Sequence, residues 1–228
     1  MAVCRSDSTD GFFVSITNIR YICTDMDKLH IPVEKHPLDP FIPDGARILM
    51  LGSFPPKRER WSMEFFYPNW INDMWRILGL VFFEDKEYFV AEDKNGCRLK
   101  KFDKDKCSAF AATEGIAMYD TACEVRRLKD NASDKFLEVV RPTDLNALMM
   151  KIPECRAIVV TGQKAADVII ETFGCEDPHV GSYTEFKIKD DMPIRVWRMP
   201  SSSRAYPLQI EKKAEHYRKM FETEGLLK

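Results

Sequence analysis

The chain lacks the glycine signatures that mark nucleotide and cofactor folds: neither G-x-G-x-x-G nor a Walker A loop occurs. The G-x-S-x-G elbow and H-E-x-x-H are also missing. Dinucleotide, P-loop, elbow-type serine hydrolase and zincin readings therefore have no motif to stand on. An excess of one charge is missing too. Thirty-four Lys+Arg stand against 36 Asp+Glu, for a formal net charge of -2 and a pI near 6.1. No global field draws such a chain to nucleic acid or to an anionic membrane, so any polyanion binding has to be local. No apolar run approaches the roughly 18 residues of a membrane span. The N-terminal FFVSITNIRYIC is broken by Thr, Asn and Arg too early for a secretory h-region. The expected address is cytoplasmic, nucleoid-associated if the source is prokaryotic. The seven cysteines (Cys4, Cys23, Cys97, Cys107, Cys123, Cys155 and Cys175) include no C-x-x-C pair. They read as reduced thiols, with no metal site expected.

What is present fits one domain. A chain of 228 residues with 45% hydrophobic content can bury a substantial core. Residues 1–30 show no sustained period and read as a loosely attached arm, with Met26 a candidate start, while residues 31–228 read as a single domain. Three prolines in HPLDPFIP (36–43) block helix and central strand, which gives an extended lead-in with His36 as a surface contact. Residues 48–51 form an unbroken apolar run, as a strand buried on both faces reads, and residues 52–56 must then be a loop. Ile71, Met74, Trp75 and Leu78 recur at helical spacing. With Asn69 as N-cap, that pattern puts Asn72 in the first turn, off the apolar stripe. The charge-dense segment 85–105 reads as a solvated excursion. A short strand at 115–120 ends in Asp120, 130–134 is a polar break, and Thr143 or Asp144 caps a helix running to Met150. The clearest later strand is 156–162, followed by a helix at 163–173, a last strand at 194–198 and a loop, MPSSSRAY (199–206). Pro207 opens a closing helix with Ile210, Ala214, Tyr217 and Phe221 on one face. Alternating strands and helices argue for a parallel sheet between helical layers.

Ligands of open α/β sheets bind outside the carboxyl ends of the strands, which directs attention to two loops. The first, GSFPPKRERW with FFYPNWIN, is aromatic, basic and amide-bearing at once. The second is MPSSSRAY. Ser201, Ser202 and Ser203 with their main-chain amides can donate to phosphate oxygens, and Arg204 can reach into or along a groove. Lys57, Arg58 and Arg60 supply a local positive rim in an acidic protein. Phe54, Phe66, Tyr67 and Trp70 offer faces for base stacking, although each alone also reads as an ordinary core aromatic. Gly162 at a strand-to-helix junction places main-chain N–H groups at a helix N-terminus, ready for an acceptor-rich ligand. Stacking, phosphate capture and a buried amide together describe a pocket for an extruded base.

In this order, LGSFPP (51–56), FYPNWIN (66–72), GIAMYD (115–120), VVTGQKA (159–165) and MPSSSR (199–204) resemble the uracil-DNA glycosylase superfamily. The likeness is nearest to its mismatch-specific thymine/uracil branch and its deoxyinosine (hypoxanthine) branch. It runs from about His36 to the C-terminal helix. MPSSSR, nearly that family's DNA-inserting loop, is its most specific piece. The resemblance implies a three-layer α/β/α domain with a short, mainly parallel, four-stranded central sheet. It implies a monofunctional DNA glycosylase (an N-glycosyl hydrolase of base excision repair) that uses no metal or cofactor. Its partner would be DNA containing a damaged or mismatched base, with no membrane association and a monomeric state expected.

Carried onto this chain, the resemblance makes Gly52, Ser53, Phe54 and Pro55 the first motif shaping a base pocket, with Tyr67, Thr161 and Gly162 completing it. Lys57, Arg58, Ser201, Ser202, Ser203 and Arg204 would contact DNA. Two departures stand out. Phe54 occupies the place of the mismatch branch's water-activating Asn, and Thr161 that of an Asn that often reads the base edge. In the hypoxanthine branch a catalytic Asn lies in the Tyr-rich segment, where this chain has Asn72, so Asn72 is expected to orient the attacking water with Asp120 assisting. Uracil, hypoxanthine and thymine all remain open as substrates. The rival readings are a non-catalytic module binding damaged or modified DNA on the same fold, a hydrolase pairing Ser201, Ser202 or Ser203 with His179 or His216, and a protein without an active site.

Overall fold

A computed structural model describes residues 30–129, 136–187 and 193–227. The N-terminal arm up to residue 29, with Met26, and the polar break at 130–134 lie outside the described residues. In chain order the elements are β1 (Val33–Lys35), β2 (Ile48–Gly52), α1 (Met74–Phe83), β3 (Val90–Glu92), β4 (Arg98–Phe102), α2 (Lys104–Thr113), β5 (Ile116–Asp120), β6 (Ala122–Arg127), β7 (Leu137–Pro142), α3 (Leu145–Met150), β8 (Ala157–Val160), α4 (Gln163–Phe173), β9 (Ser182–Lys187), β10 (Pro193–Arg198) and α5 (Ile210–Thr223).

The central sheet runs β5-β2-β8-β10-β9. The first four of these strands are parallel, and β9 pairs antiparallel with β10. The expected four-stranded sheet is therefore short by one strand. The missing one is legible only in hindsight, because β9 (SYTEFK) alternates exposed and half-buried residues along an edge and carries no apolar run. In contrast, every residue of β2, β5 and β8 is buried, and all three were read as strands, β2 from an unbroken apolar run.

Two smaller antiparallel sheets were not anticipated. One, ordered β1-β6-β7, is built from sequence that alternates and bulges at Glu124. The other is the β3-β4 hairpin, which lies inside the charge-rich segment. That segment is not simply solvated: it sinks Phe89, Val90 and Phe102 into the core while its lysines stay outside. The proline-rich lead-in is extended and runs along the free edge of β5, where Phe41 and Met118 exchange both main-chain hydrogen bonds.

Helix α1 begins later than its apolar spacing suggests. Its N-cap is Asp73, not Asn69, and Ile71 is 51% exposed instead of facing the core. Main-chain bridges Trp61–Asn69 and Asn72–Ser203 flank a turn at residues 70–71, closed by the Asn72 amide donating to the Asn69 carbonyl at 2.8 Å, and these pairings override the local helical pattern. Asn69 instead accepts from the Ile71 amide. Phe82 of α1 meets Phe110 of α2 at 4.8 Å and Phe221 of α5 at 4.9 Å between ring centres. Asp144, as one of two candidates, caps α3, its side chain accepting from the Ala147 amide. Helix α4 spans the expected 163–173, and α5 buries Ala214, Tyr217 and Phe221.

Ile158 lies in the middle strand β8, fully buried between β2 and β10. Ile158→Ala is expected to lower the unfolding free energy by about 2–5 kcal/mol, read by urea denaturation monitored by tryptophan fluorescence. A change below about 0.5 kcal/mol would contradict a close-packed centre at this position.

Candidate active site

The carboxyl ends of β5, β2 and β8 open onto a cleft of about 670 Å³. That is within the range of small-molecule sites. Every residue that the sequence assigned to a base pocket lines it: Gly52, Ser53, Phe54, Pro55, Tyr67, Thr161 and Gly162. So do Asn72, Asp120, Ser201, Ser202, Ser203 and Arg204. The two loops, more than 120 residues apart in sequence, form one wall: Asn72 and Ser203 pair as an antiparallel bridge, and the Asp73 amide donates to the Ser202 carbonyl at 2.9 Å.

Lys57 and Arg58 do not line the cleft. They sit on an exposed 3-10 turn just beyond Pro56, where Arg58 is ion-paired with Glu64 and lies over the Trp61 ring. They stand beside the first loop, outside the pocket itself. Trp70 is also outside the cleft, sandwiched with Phe102 and the Arg76 guanidinium.

Asp120 ends β5 directly opposite Gly52 at the end of β2. The approach is so close that a methyl group on Gly52 would overlap Oδ1 of the carboxylate. The other oxygen, Oδ2, lies 2.9 Å from His36 Nε2. His36 is thus not a surface contact: its side chain is 2% exposed. Its ring sits among Phe54, Phe66 and Tyr119, with centroids at 5.3, 6.3 and 4.6 Å. Extended lead-in geometry explains the correction. The His36 amide donates to the Cys123 carbonyl at 2.8 Å, continuing the β1-β6 ladder and carrying the imidazole to the end of β5.

Above the carboxylate, the Tyr67 hydroxyl lies 3.1 Å from that of Thr161. Tyr67 holds a left-handed backbone, φ 51°, an uncommon conformation for a residue with a side chain. Burial raises its pKa well above the ordinary phenol value, opposed by the Thr161 hydrogen bond and reinforced by the Asp120 charge, so the hydroxyl stays neutral. Asn72 precedes α1 rather than lying in its first turn, and its Oδ1 accepts from the Met74 amide at 2.9 Å. Its carbonyl thus works as a helix cap, which leaves the NH₂ end for any ligand.

Several cleft residues had no sequence signal. Arg127, on β6, is buried, grips Glu34 through Nε and Nη2 at 3.1 and 3.0 Å, and donates from Nη2 to the Pro55 carbonyl at 3.1 Å. It ties the first loop to the small sheet. Beneath the serine loop, the buried Lys213 donates from Nζ to the Ser203 carbonyl at 2.7 Å, and the Tyr217 hydroxyl donates to that of Pro200. Arg204 donates from Nε to Asp73 Oδ1 at 2.8 Å, with Arg76 3.6 Å from the same oxygen. Burial, followed by the Arg204 charge, lowers the pKa of Arg76. Lys213 is lowered chiefly by burial, which the Asp73 charge opposes and the Arg204 charge reinforces. Three cations thus face Asp73 and Glu87, leaving one surplus positive charge behind the loop.

Helix α4 opens on the cleft at Gly162, and its first main-chain hydrogen bond is Ala166 N–H to Gly162 C=O. The three preceding amides lie in the first turn, where helical N–H groups lack intrahelical partners. The serine-hydrolase alternative finds no geometry. Ser201 and Ser203 accept from loop amides, while His216 packs at the Gly181 turn and neither His179 nor His216 lines the cleft. Among the described residues no three His, Cys, Asp or Glu side chains are grouped to hold a metal ion. None of the described helices is long and apolar enough to cross a membrane.

No protein-family model and no curated protein matches the chain. Among solved structures, the chain is similar to a solution NMR structure described as a "putative Uracil DNA glycosylase" from Methanosarcina acetivorans. The two share 18% identity at a TM-score of 0.56, over 85% of this chain and 99% of the other. Similarity at that level establishes a shared fold.

The two cleft glycines differ, and that difference is testable. Gly52→Ala is expected to cost about 1–3 kcal/mol and to displace the Asp120 carboxylate. Gly162→Ala, whose added carbon would meet nothing within 4 Å, is expected to stay within about 0.5 kcal/mol of the parent. Chemical denaturation of both variants checks the contrast, and equal losses would contradict it.

Proposed function

We propose that the chain is a monofunctional DNA glycosylase that hydrolyses the N-glycosidic bond of a deaminated or mismatched base, such as uracil, hypoxanthine or thymine, flipped out of DNA. One observation carries the reading: the Asn72–Ser203 bridge makes the aromatic loop and the serine loop two parts of one cleft with Asp120 on its floor. A base entering such a cleft is flanked by Phe54, Phe66 and Tyr67 while its backbone lies against donors of the serine loop. The surplus positive charge beneath that loop supports phosphate capture in a protein whose net charge is -2.

The chemistry needs three things: water aimed at C1′, an acceptor for its proton and a place for the negative charge on the departing base. Asp120 is the ionisable acceptor that lines the cleft. The Asn72 amide, with its carbonyl already capping α1, suits holding the water or the base edge better than taking a proton. Main-chain N–H groups at the start of α4, beside Gly162, face the developing anion. Tyr67 and Thr161 offer hydroxyls that can each donate or accept, which suits several base edges. In this reading Arg204, which lines the cleft, leaves Asp73 to fill the gap in the stack.

A second reading has its own support. With Phe54 at the first-motif position and the Asn72 carbonyl occupied, the same cleft would serve a module that binds damaged DNA without cutting it. Product release decides between them. Duplexes each carrying one lesion are expected to yield alkali-labile sites for at least one base, and specific binding without such sites would establish the binding module. Asp120→Asn is expected to slow single-turnover excision by about two or more orders of magnitude with DNA affinity within a few-fold of the parent, as loss of a positioned proton acceptor does. Arg204→Ala is expected to slow excision from paired duplex more than from single strands, and equal losses would argue against a wedge.

A further inference from the structure

His36 and Asp120 are 84 residues apart in sequence and meet at 2.9 Å inside the cleft wall. Each of the pair is immobilised by different means. The imidazole is fixed at both ends: Nδ1 lies 2.8 Å from the Leu38 carbonyl oxygen and 3.2 Å from the Leu38 amide, and three aromatic rings surround it. With Nδ1 accepting from the Leu38 amide, the ring proton sits on Nε2 and faces Oδ2. The Asp120 main chain is fixed as well, its carbonyl accepting from the Thr143 hydroxyl at 2.7 Å. Oδ1 is left against the bare Cα of Gly52, and Asp120 lines the cleft. One oxygen is therefore held by the imidazole, and the other lies against a residue that has no side chain.

We infer that His36 is a positioning residue for the reaction proposed above: it clamps Oδ2 of Asp120 so that Oδ1 takes the proton of the attacking water. The inference rests on the glycosylase reading and goes beyond it by assigning a dyad whose imidazole reaches neither base nor sugar. In the step, the water oxygen forms the new bond to C1′ as the C1′–N bond breaks, and that bond's electron pair leaves with the base. One water proton passes to Oδ1, and the departing base is later neutralised by a proton from Asp120 or solvent, so that base and abasic sugar together contain the elements of the substrate plus one water. His36 keeps its own Nε2 proton throughout. It acts by fixing the orientation of the carboxylate in a pocket walled by aromatic rings.

A merely structural clip, fastening the lead-in to β5, predicts a different pattern of results. The experiment is a double-mutant cycle on the full chain with His36→Gln, Asp120→Asn and the double variant, each measured for single-turnover excision and for DNA half-saturation on the best lesion of the panel. If the dyad operates, His36→Gln slows the maximal rate about 10- to 100-fold at unchanged half-saturation, and the double variant is no slower than Asp120→Asn alone. Multiplying losses, or an undiminished His36→Gln rate, overturn the inference while leaving the glycosylase reading intact. A parent chain that releases no base from any lesion overturns both. A measurement free of activity accompanies the cycle: imidazole ¹H–¹⁵N spectra of the parent are expected to show a protected, downfield Nε2 proton that is lost in Asp120→Asn. Its absence from the parent removes the pair itself.

Discussion

Two strand ends set the character of this cleft. Gly52 and Asp120 finish neighbouring parallel strands in register, and the missing side chain of the one is the space occupied by the carboxylate of the other. No such approach is available to any other residue type at position 52, since a first side-chain carbon already overlaps Oδ1. The Thr121 amide, donating to the Gly52 carbonyl at 2.9 Å, stitches the two ends together just beyond the ladder. The remaining cleft is built outward from this contact: Tyr67 above, His36 behind and Thr161 at the end of the next strand.

The serine loop reaches the same place by another route. It leaves β10 at the sheet's carboxyl edge and is held from below by Lys213 and Tyr217 of the last helix. Its free side is pinned to the segment before α1 by the Asn72–Ser203 bridge and by Asp73, which receives Arg204. Buried lysine is costly unless it finds an acceptor, and here the acceptor is a main-chain carbonyl of the loop itself. The cations that hold the loop in shape also concentrate positive charge behind it in an acidic protein.

Much of the frame was legible because burial on both faces leaves an unmistakable mark. Residues 48–51, 115–120 and 156–162 read as strands since their polar residues stand only at the ends, and the helix at 163–173 read correctly from its position after a strand and a glycine. The edge strand β9 and the β1-β6-β7 sheet did not, for they are half-exposed, short or bulged, and their apolar positions do not form a run. Ile71 misled for a different reason: its spacing is helical, but it lies in a turn fixed on its far side by the Asn72–Ser203 bridge, and the side chain lies on the cleft rim.

By itself the sequence determined the alternation of strands and helices, and hence the edge of the sheet at which ligands collect, because those depend on local periodicity and on apolar runs. It also determined which residue types stand in the two loops. Only the tertiary structure decided that Lys57 and Arg58 stay outside, that the Asn72 carbonyl caps a helix, and that His36 leaves the surface to meet Asp120. Each of these depends on a contact between segments tens of residues apart, where the deciding quantity is a distance across the fold, and no spacing along the chain encodes it.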